Sequence, residues 1–248
     1  MTRVAIYGAG GLGRLAHDIL LQDGRLKPVT FLDSNPRKHG WTIDGLLVRG
    51  GIEQIAELRR NRVTLVVVAI GDGRTRTHVA EALRREGMHL ASAVHPLASI
   101  ATSARLGKHV IVGARTLVCA HAKVGDHCVL STGSIIEHDN QLGIGVFLHP
   151  AVRLAGGVKI DDYATLGIGS CVIPYRHVGN DARVEPGSIV IQDVPPGTTV
   201  GGVPATRLPR EVGRFMPDAT HELTSTGGVA HSGSAVSQRS YHNSQTPR

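Results

Sequence analysis

Glu137-His138-Asp139-Asn140 sets an imidazole between two carboxylates. A carboxylate beside a histidine fixes its tautomer and raises its basicity, which suits a general base near neutral pH. On residue types alone, a surface histidine with ordinary neighbours is the plainer reading. A second group opens the chain: Gly8-Ala9-Gly10-Gly11-Leu12-Gly13, with Asp33 twenty residues on. That spacing is a dinucleotide fingerprint, in which amides at a helix N-terminus cradle phosphates and the acid takes a ribose hydroxyl. Glycines chosen only for close strand–helix packing would give the same letters. The third group is the segment 193–210, DVPPGTTVGGVPATRLPR, where Arg207 and Arg210 could meet phosphates. Alone, it reads as a loop.

These residues need scaffolds to hold them. From Val94 to Val190 every sixth residue is Ile, Leu or Val, without a miss. A period of six fits neither a helix nor an ordinary strand. It marks a hexapeptide β-solenoid, in which each hexad forms one face of a coil and three faces, eighteen residues, close a rung. The stretch then makes between five and six rungs. Gly often follows the aliphatic residue, as at Gly107, Gly113, Gly125, Gly143, Gly167 and Gly179. We assign these glycines to corners that need φ > 0. The fifth place is mostly small or β-branched, from Val110 and Thr116 to Ser188 and Val194. His138, two places after the inward Ile136, falls on the outside.

Residues 1–90 alternate strand and helix: strands at 4–8, 28–33 and 63–71, helices at 10–24, 51–61 and 77–87. This pattern predicts a small parallel α/β sheet of Rossmann type. It is about half a full dinucleotide fold, so a mononucleotide such as a nucleotide sugar suits it better than NAD. The solenoid and its exit occupy 91–210. Residues 211–248 are rich in Ser, Thr, Gly and His, and are expected to be disordered. Their His221, His231 and His242 are read as coincidental rather than as a metal site.

The 248 residues carry a net charge of +7. No basic stripe interleaved with aromatics suggests a nucleic-acid groove, and the excess charge is read as a bias toward small anionic ligands. The three cysteines, Cys119, Cys128 and Cys171, all fall inside the repeat and form no CxxC pair. They read as reduced core residues of a cytoplasmic protein. No apolar leader and no run long enough to span a membrane is seen, so neither membrane nor nucleic acid is expected as a partner.

Together these features resemble the left-handed β-helix acyltransferases, in their sialic acid O-acetyltransferase and bacillosamine N-acetyltransferase branch. The matching segments are GAGGLG, FLDSNP, VVVAIGDGRTR, the HP pair at 95–96, the EHD segment, LAGGVKI, LGIGSCVI and DVPPGTTVGGVPA. The resemblance covers residues 1 to about 210. It implies the left-handed coil sense, which period six does not show. It also implies a homotrimer with acetyl-CoA bound between neighbouring solenoids and a nucleotide-linked sugar held by the N-terminal domain. In that likeness His138 matches the catalytic base and Asp139 its acidic neighbour. Gly10, Gly11, Asp33, Ser34, Asn35 and Gly71 match the acceptor-nucleotide loops. Gly156, Gly167, Ile168, the Gly202–Pro204 turn and Arg207 match the acetyl-CoA channel. No metal is implied. Where the family commonly has a second histidine, nine residues after the base, this chain has Phe147. His149 stands two places on and is a candidate for that role.

Two other readings compete. A zinc enzyme of the γ-carbonic-anhydrase type would need three histidines converging between subunits, and His121, His127, His138 and His149 fall at the fourth, fourth, third and second hexad places. A nucleotide-binding scaffold without catalysis would keep the glycine loop and have no need of His138.

Overall fold

The computed structural model describes residues 1–209, so Arg210 and the segment 211–248 with its three histidines lie outside the described residues. The N-terminal sheet has four parallel strands. Thr2–Tyr7 (β1) lies between Leu26–Leu32 (β2) and Leu65–Val68, and His89–Leu90 adds the far edge. Val4 through Tyr7 are all buried. Both faces of the sheet are covered, which is why β1 reads as a continuous apolar run rather than as an alternation. The strand order reverses at β1, so the crevice beyond the carboxyl ends of β1 and Leu65–Val68 is where such a sheet takes ligands.

Gly11–Asp23 (α1) follows β1 and stops at Gly24, whose φ of 69° lets its N–H reach the Leu20 carbonyl. The helix expected at 51–61 is divided. A 3₁₀ turn, Ile52–Gln54, leads into a short helix, Ile55–Arg60 (α2). The helix expected from 77 begins four residues earlier, at Gly73–Arg85 (α3). The Asp72 carboxylate caps it by accepting from the Thr75 N–H at 2.8 Å, and this outweighs the turn character of Asp-Gly.

From residue 93 each hexad supplies a two-residue strand ending in the inward aliphatic. Each strand pairs in parallel with the one eighteen residues on, as in Ile111↔Val129 and Val112↔Leu130. Three sheets of eight, six and five strands form the faces of a triangular coil. The first face starts at Ala93–Val94, the second at Ser99–Ile100 and the third at Arg105–Leu106. The inward residues from Val112 to Val200 form one buried column. Each is worth about 1.5–3 kcal/mol by burial, and each contacts only its own and adjacent rungs.

The corners differ from expectation. Positive φ falls at the fourth place of the hexad, at His109, Arg115, His121, His127, Gly133, Asp139 and so on to Gly187. The glycines after the aliphatic residue are absent from that set. They are needed for stacking instead. A Cβ at Gly113 would come 2.5 Å from the Thr132 nitrogen, and one at Gly179 would come 2.6 Å from the Pro196 nitrogen. The requirement is close approach between rungs rather than turn conformation.

The N-terminal domain docks on one side of the prism. Outward residues of the first face, Ala93, Ile111, Val129 and Phe147, are buried in one cluster with Val4, Ile6, Ala16 and Phe31. At the third corner, between the third and first faces, Arg76 is wholly buried. Its guanidinium donates to the carbonyls of Ile70, Gly71, His127 and Gly145 at 2.6–2.9 Å. Burial lowers its pKa to about 10, so it stays cationic at neutral pH. Beside it the Val68 N–H donates to His109 Nε2, and the Nδ1 atoms of His109 and His127 meet at 2.8 Å. Burial pushes His109 down to about 3, with His127 and Arg76 adding to the effect. On the surface of the same corner Arg74 makes a bidentate pair with Asp181.

Candidate active site

His138 stands on the second corner, between the second and third faces, with its side chain 55 % exposed. Its Nδ1 lies 2.9 Å from Asp139 Oδ2. The ionised carboxylate only accepts, so Nδ1 carries the proton and Nε2 is left as the acceptor. Asp139 occupies the left-handed fourth place, φ 61°, and this turn brings its carboxylate back beside the preceding ring. The ring leans over the next rung. A Cβ on Gly156 would lie 2.5 Å from His138 Nε2 and 2.6 Å from Cε1. Gly156 is therefore the floor under this ring.

Asn140 fixes this pair of rungs from inside. It is fully buried, and its Nδ2 donates to the carbonyls of Glu137 at 2.7 Å and Ala155 at 3.1 Å. Those carbonyls immediately precede His138 and Gly156. Its Oδ1 is buried without a partner. Sequence reasoning missed Asn140, although it interrupts the run of small and β-branched residues at the fifth place. It also missed Arg76, whose contacts are made with distant parts of the chain.

His149 is not brought to His138. It lies on the first corner, partly buried and stacked on Phe147 with ring centroids 4.4 Å apart, and burial lowers its pKa. The second face separates it from His138 within the chain.

The loops that carry Gly10, Gly11, Asp33, Ser34, Asn35 and Gly71 follow the strands of the N-terminal sheet at their carboxyl ends. Gly8 and Gly13 are packing glycines, because a Cβ at either would strike backbone, that of Ala69 and of Gly8 itself. Gly10 and Gly11 are different. A Cβ there meets nothing within 4 Å, neither has positive φ, and no side chain caps α1. Free amide N–H groups at this helix N-terminus suit a phosphate. Asp33 is buried, with Oδ2 accepting from the Ala9 N–H at 2.8 Å and from Lys38 Nζ at 2.9 Å. Its Oδ1 accepts from the Asn35 N–H at 2.9 Å. Burial pushes this carboxyl up, but Asn35, Lys38 and Ala9 outweigh it and hold the pKa below the usual value. Most of its capacity is spent ordering the loop. Asn35 Oδ1 caps the following turn at Arg37, and Ser34 is exposed. Gly71 is exposed, with its carbonyl held by Arg76.

Gly167 is a stacking glycine, 2.5 Å from the Pro186 nitrogen were a Cβ added, while Ile168 is 53 % exposed. The exit segment is pinned to the last rung. Gly202 N–H donates to Ser188 Oγ and Ala205 N–H to the Ile189 carbonyl. Pro204 and Arg207 are exposed there. Among the described residues no three His, Cys, Asp or Glu side chains gather as a metal set.

Residues 3–83 match the family model of the PglD N-terminal domain. Among solved structures the chain is similar to PerB from Caulobacter crescentus in complex with CoA and GDP-perosamine. The two are 34 % identical with a TM-score of 0.79, over 83 % of this chain and 97 % of that one. The chain belongs to the left-handed β-helix sugar acetyltransferases. A second member of this acetyltransferase group, the acetyltransferase domain of PglB from Neisseria gonorrhoeae in complex with acetyl coenzyme A, is 27 % identical with a TM-score of 0.77. That match covers 84 % of this chain and 99 % of the other. An acyl-[acyl-carrier-protein]–UDP-N-acetylglucosamine O-acyltransferase of Pseudomonas savastanoi is 35 % identical over 86 residues. This chain spans about a third of the length of the curated relatives it matches in that way. The solenoid is thus the left-handed β-helix of this family, and the N-terminal domain is its small Rossmann-like partner.

Proposed function

We propose that the protein transfers the acetyl group of acetyl-CoA to an amino, or hydroxyl, group of a nucleotide-linked sugar, with His138 as general base. The observation that carries this is the His138 ring, held by Asp139 at Nδ1 and free at Nε2 above a bare glycine floor. As the acceptor nitrogen attacks the thioester carbonyl carbon, its proton passes to Nε2. The new C–N bond forms, the C–S bond breaks, and the imidazolium returns the proton to the departing CoA sulfur. A positioned base contributes about 10²–10⁴-fold.

The acceptor is held by the Gly10–Gly11 amides with Asp33, Ser34, Asn35 and Gly71 around it. The donor runs along the later rungs past Gly156, Gly167, Ile168 and the Gly202–Pro204 turn, with Arg207 near its phosphates. The N-terminal domain sits on the first face, and His138 stands on the corner opposite that face. A sugar held by one copy therefore reaches the His138 of another, and this supports a homotrimer. In the same assembly His149 faces a neighbour's site.

The amino group is preferred as acceptor because the PerB complex holds CoA with GDP-perosamine, an amino sugar. The test is CoA release from acetyl-CoA against a panel of nucleotide-linked sugars, with native protein and His138→Ala side by side. Turnover with one acceptor, reduced at least ~10²-fold in the variant, supports the reading. Equal rates in both proteins remove His138 from the mechanism.

A further inference from the structure

Tyr163 and Tyr175 occupy the same hexad place on different corners, both with left-handed backbone, φ 60° and 59°. Each ring leans back over a glycine of the preceding rung. A Cβ at Gly145 would lie 2.7 Å from Tyr163 Cδ1, and one at Gly157 would lie 2.6 Å from Tyr175 Cδ1. At the third corner the outer face of the Tyr163 ring is covered by the N-terminal domain, with the Arg74 guanidinium 4.3 Å from its centroid. At the second corner Tyr175 is 73 % exposed. The fold has built the same aromatic shelf twice and has covered it once.

The uncovered shelf belongs to the His138 corner. His138 leans over Gly156 from one side, and Tyr175 leans over Gly157 from the other. The Gly156-Gly157 pair is thus the floor of a notch with the base on one wall and the phenol ring on the opposite wall, two rungs apart, or ~10 Å. The corner is also divided by polarity. On the rungs before His138 lies a cavity of about 390 Å³ lined by Thr102, Ser103, Arg105, His121 and Lys123. On the rungs after it, Ile173, Tyr175 and Ile191 are exposed hydrophobics, flanked by the Arg176–Asp193 ion pair. A cationic groove suits an anionic nucleotide. An apolar wall suits an uncharged chain of methylenes, methyl groups and amides, which is the chemistry of a pantetheine arm.

We propose that Tyr175 is a donor-binding residue, its ring packing on the pantetheine arm of the acyl thioester whose carbonyl is presented to His138. The proposal rests on the acetyltransferase reading and assigns the aromatic wall to the donor rather than to the sugar. Tyr175→Ala and Tyr175→Phe would be compared with native full-length chain in steady-state kinetics, varying each substrate separately. CoA binding would be measured by calorimetry in the absence of acceptor. We expect Tyr175→Ala to raise the acetyl-CoA KM and the CoA Kd by roughly 5- to 30-fold, with acceptor KM unchanged. Tyr175→Phe, which keeps the ring, stays near native. An unchanged CoA Kd, or a change confined to acceptor KM, overturns the proposal. Absence of turnover in the native protein would count against the transferase reading alone, because CoA affinity is read independently of it. If native protein does not bind CoA, both fail.

Discussion

The second and third corners of the prism carry the same backbone and nearly the same residue types, yet only one is left open for chemistry. Each has histidines near the left-handed place, a tyrosine leaning over a glycine, and acidic residues close by. At the third corner the N-terminal domain closes over them. His109 and His127 are buried, hydrogen-bonded to each other and held neutral, and Arg76 is spent entirely on backbone carbonyls. At the second corner His138 keeps one nitrogen free and Tyr175 one face free. Hexad position sets conformation, and the neighbouring domain decides whether the side chain is buried as structure or left open to solvent.

The comparison is broken most severely by deleting its two central residues. His138→Ala should lower turnover by 10²–10⁴-fold with a melting temperature close to native, because the side chain is exposed. Arg76→Met should do the reverse. It leaves four carbonyls without their donor and should cost about 3–5 kcal/mol in denaturant unfolding. In whatever protein folds, acceptor KM should rise, because the Gly71 carbonyl is held by Arg76. Comparable stability losses in the two variants would erase the distinction between the corners.

Acid sharpens it further. His109 has a folded pKa of about 3 against an unfolded value near 6.5. The unfolded chain therefore binds the extra proton, and stability present above pH ~6.5 is lost as pH falls toward 3. The loss from this group is a few kcal/mol, seen as a falling unfolding free energy. His109→Gln should flatten that slope, and an unchanged slope would show that the pair is not the titrating centre. Gly156→Ala is the mildest change and should act only at the second corner. Its methyl group would displace the His138 ring, lowering kcat about 10- to 100-fold with the fold intact. Native kcat in that variant would mean that the ring does not need this floor.

The hexad series, the glycine loop and the external position of His138 were legible in the sequence because each is a local pattern. The inward column repeats every six residues, and Gly10–Gly11 follows its own strand. The third-corner network was not legible. Arg76 reaches His127 across 51 residues and Gly145 across 69, and no periodicity announces which helix residue will enter a solenoid corner. Asp33 was legible as an important acid, but its hydrogen bonds to Ala9, Asn35 and Lys38 come from loop geometry that spacing does not encode. Glycine placement misled for the same reason. A glycine required by the rung above cannot be distinguished, as a letter, from one required by its own φ.

The exit segment has a consequence for solubility. Every rung of a parallel coil ends in unpaired amides and carbonyls that would accept another rung, whether from the same chain or from a stranger. Here the last strand of the first face, Thr206–Arg207, runs antiparallel to Thr199–Gly201. A strand of opposite polarity does not offer the register of the rungs beneath it, so the stack is terminated by a change of direction. Without that reversal the prism would be a seed for end-to-end fibres, and truncation before Thr206 should be detectable as polymerisation well before it is detectable as lost activity.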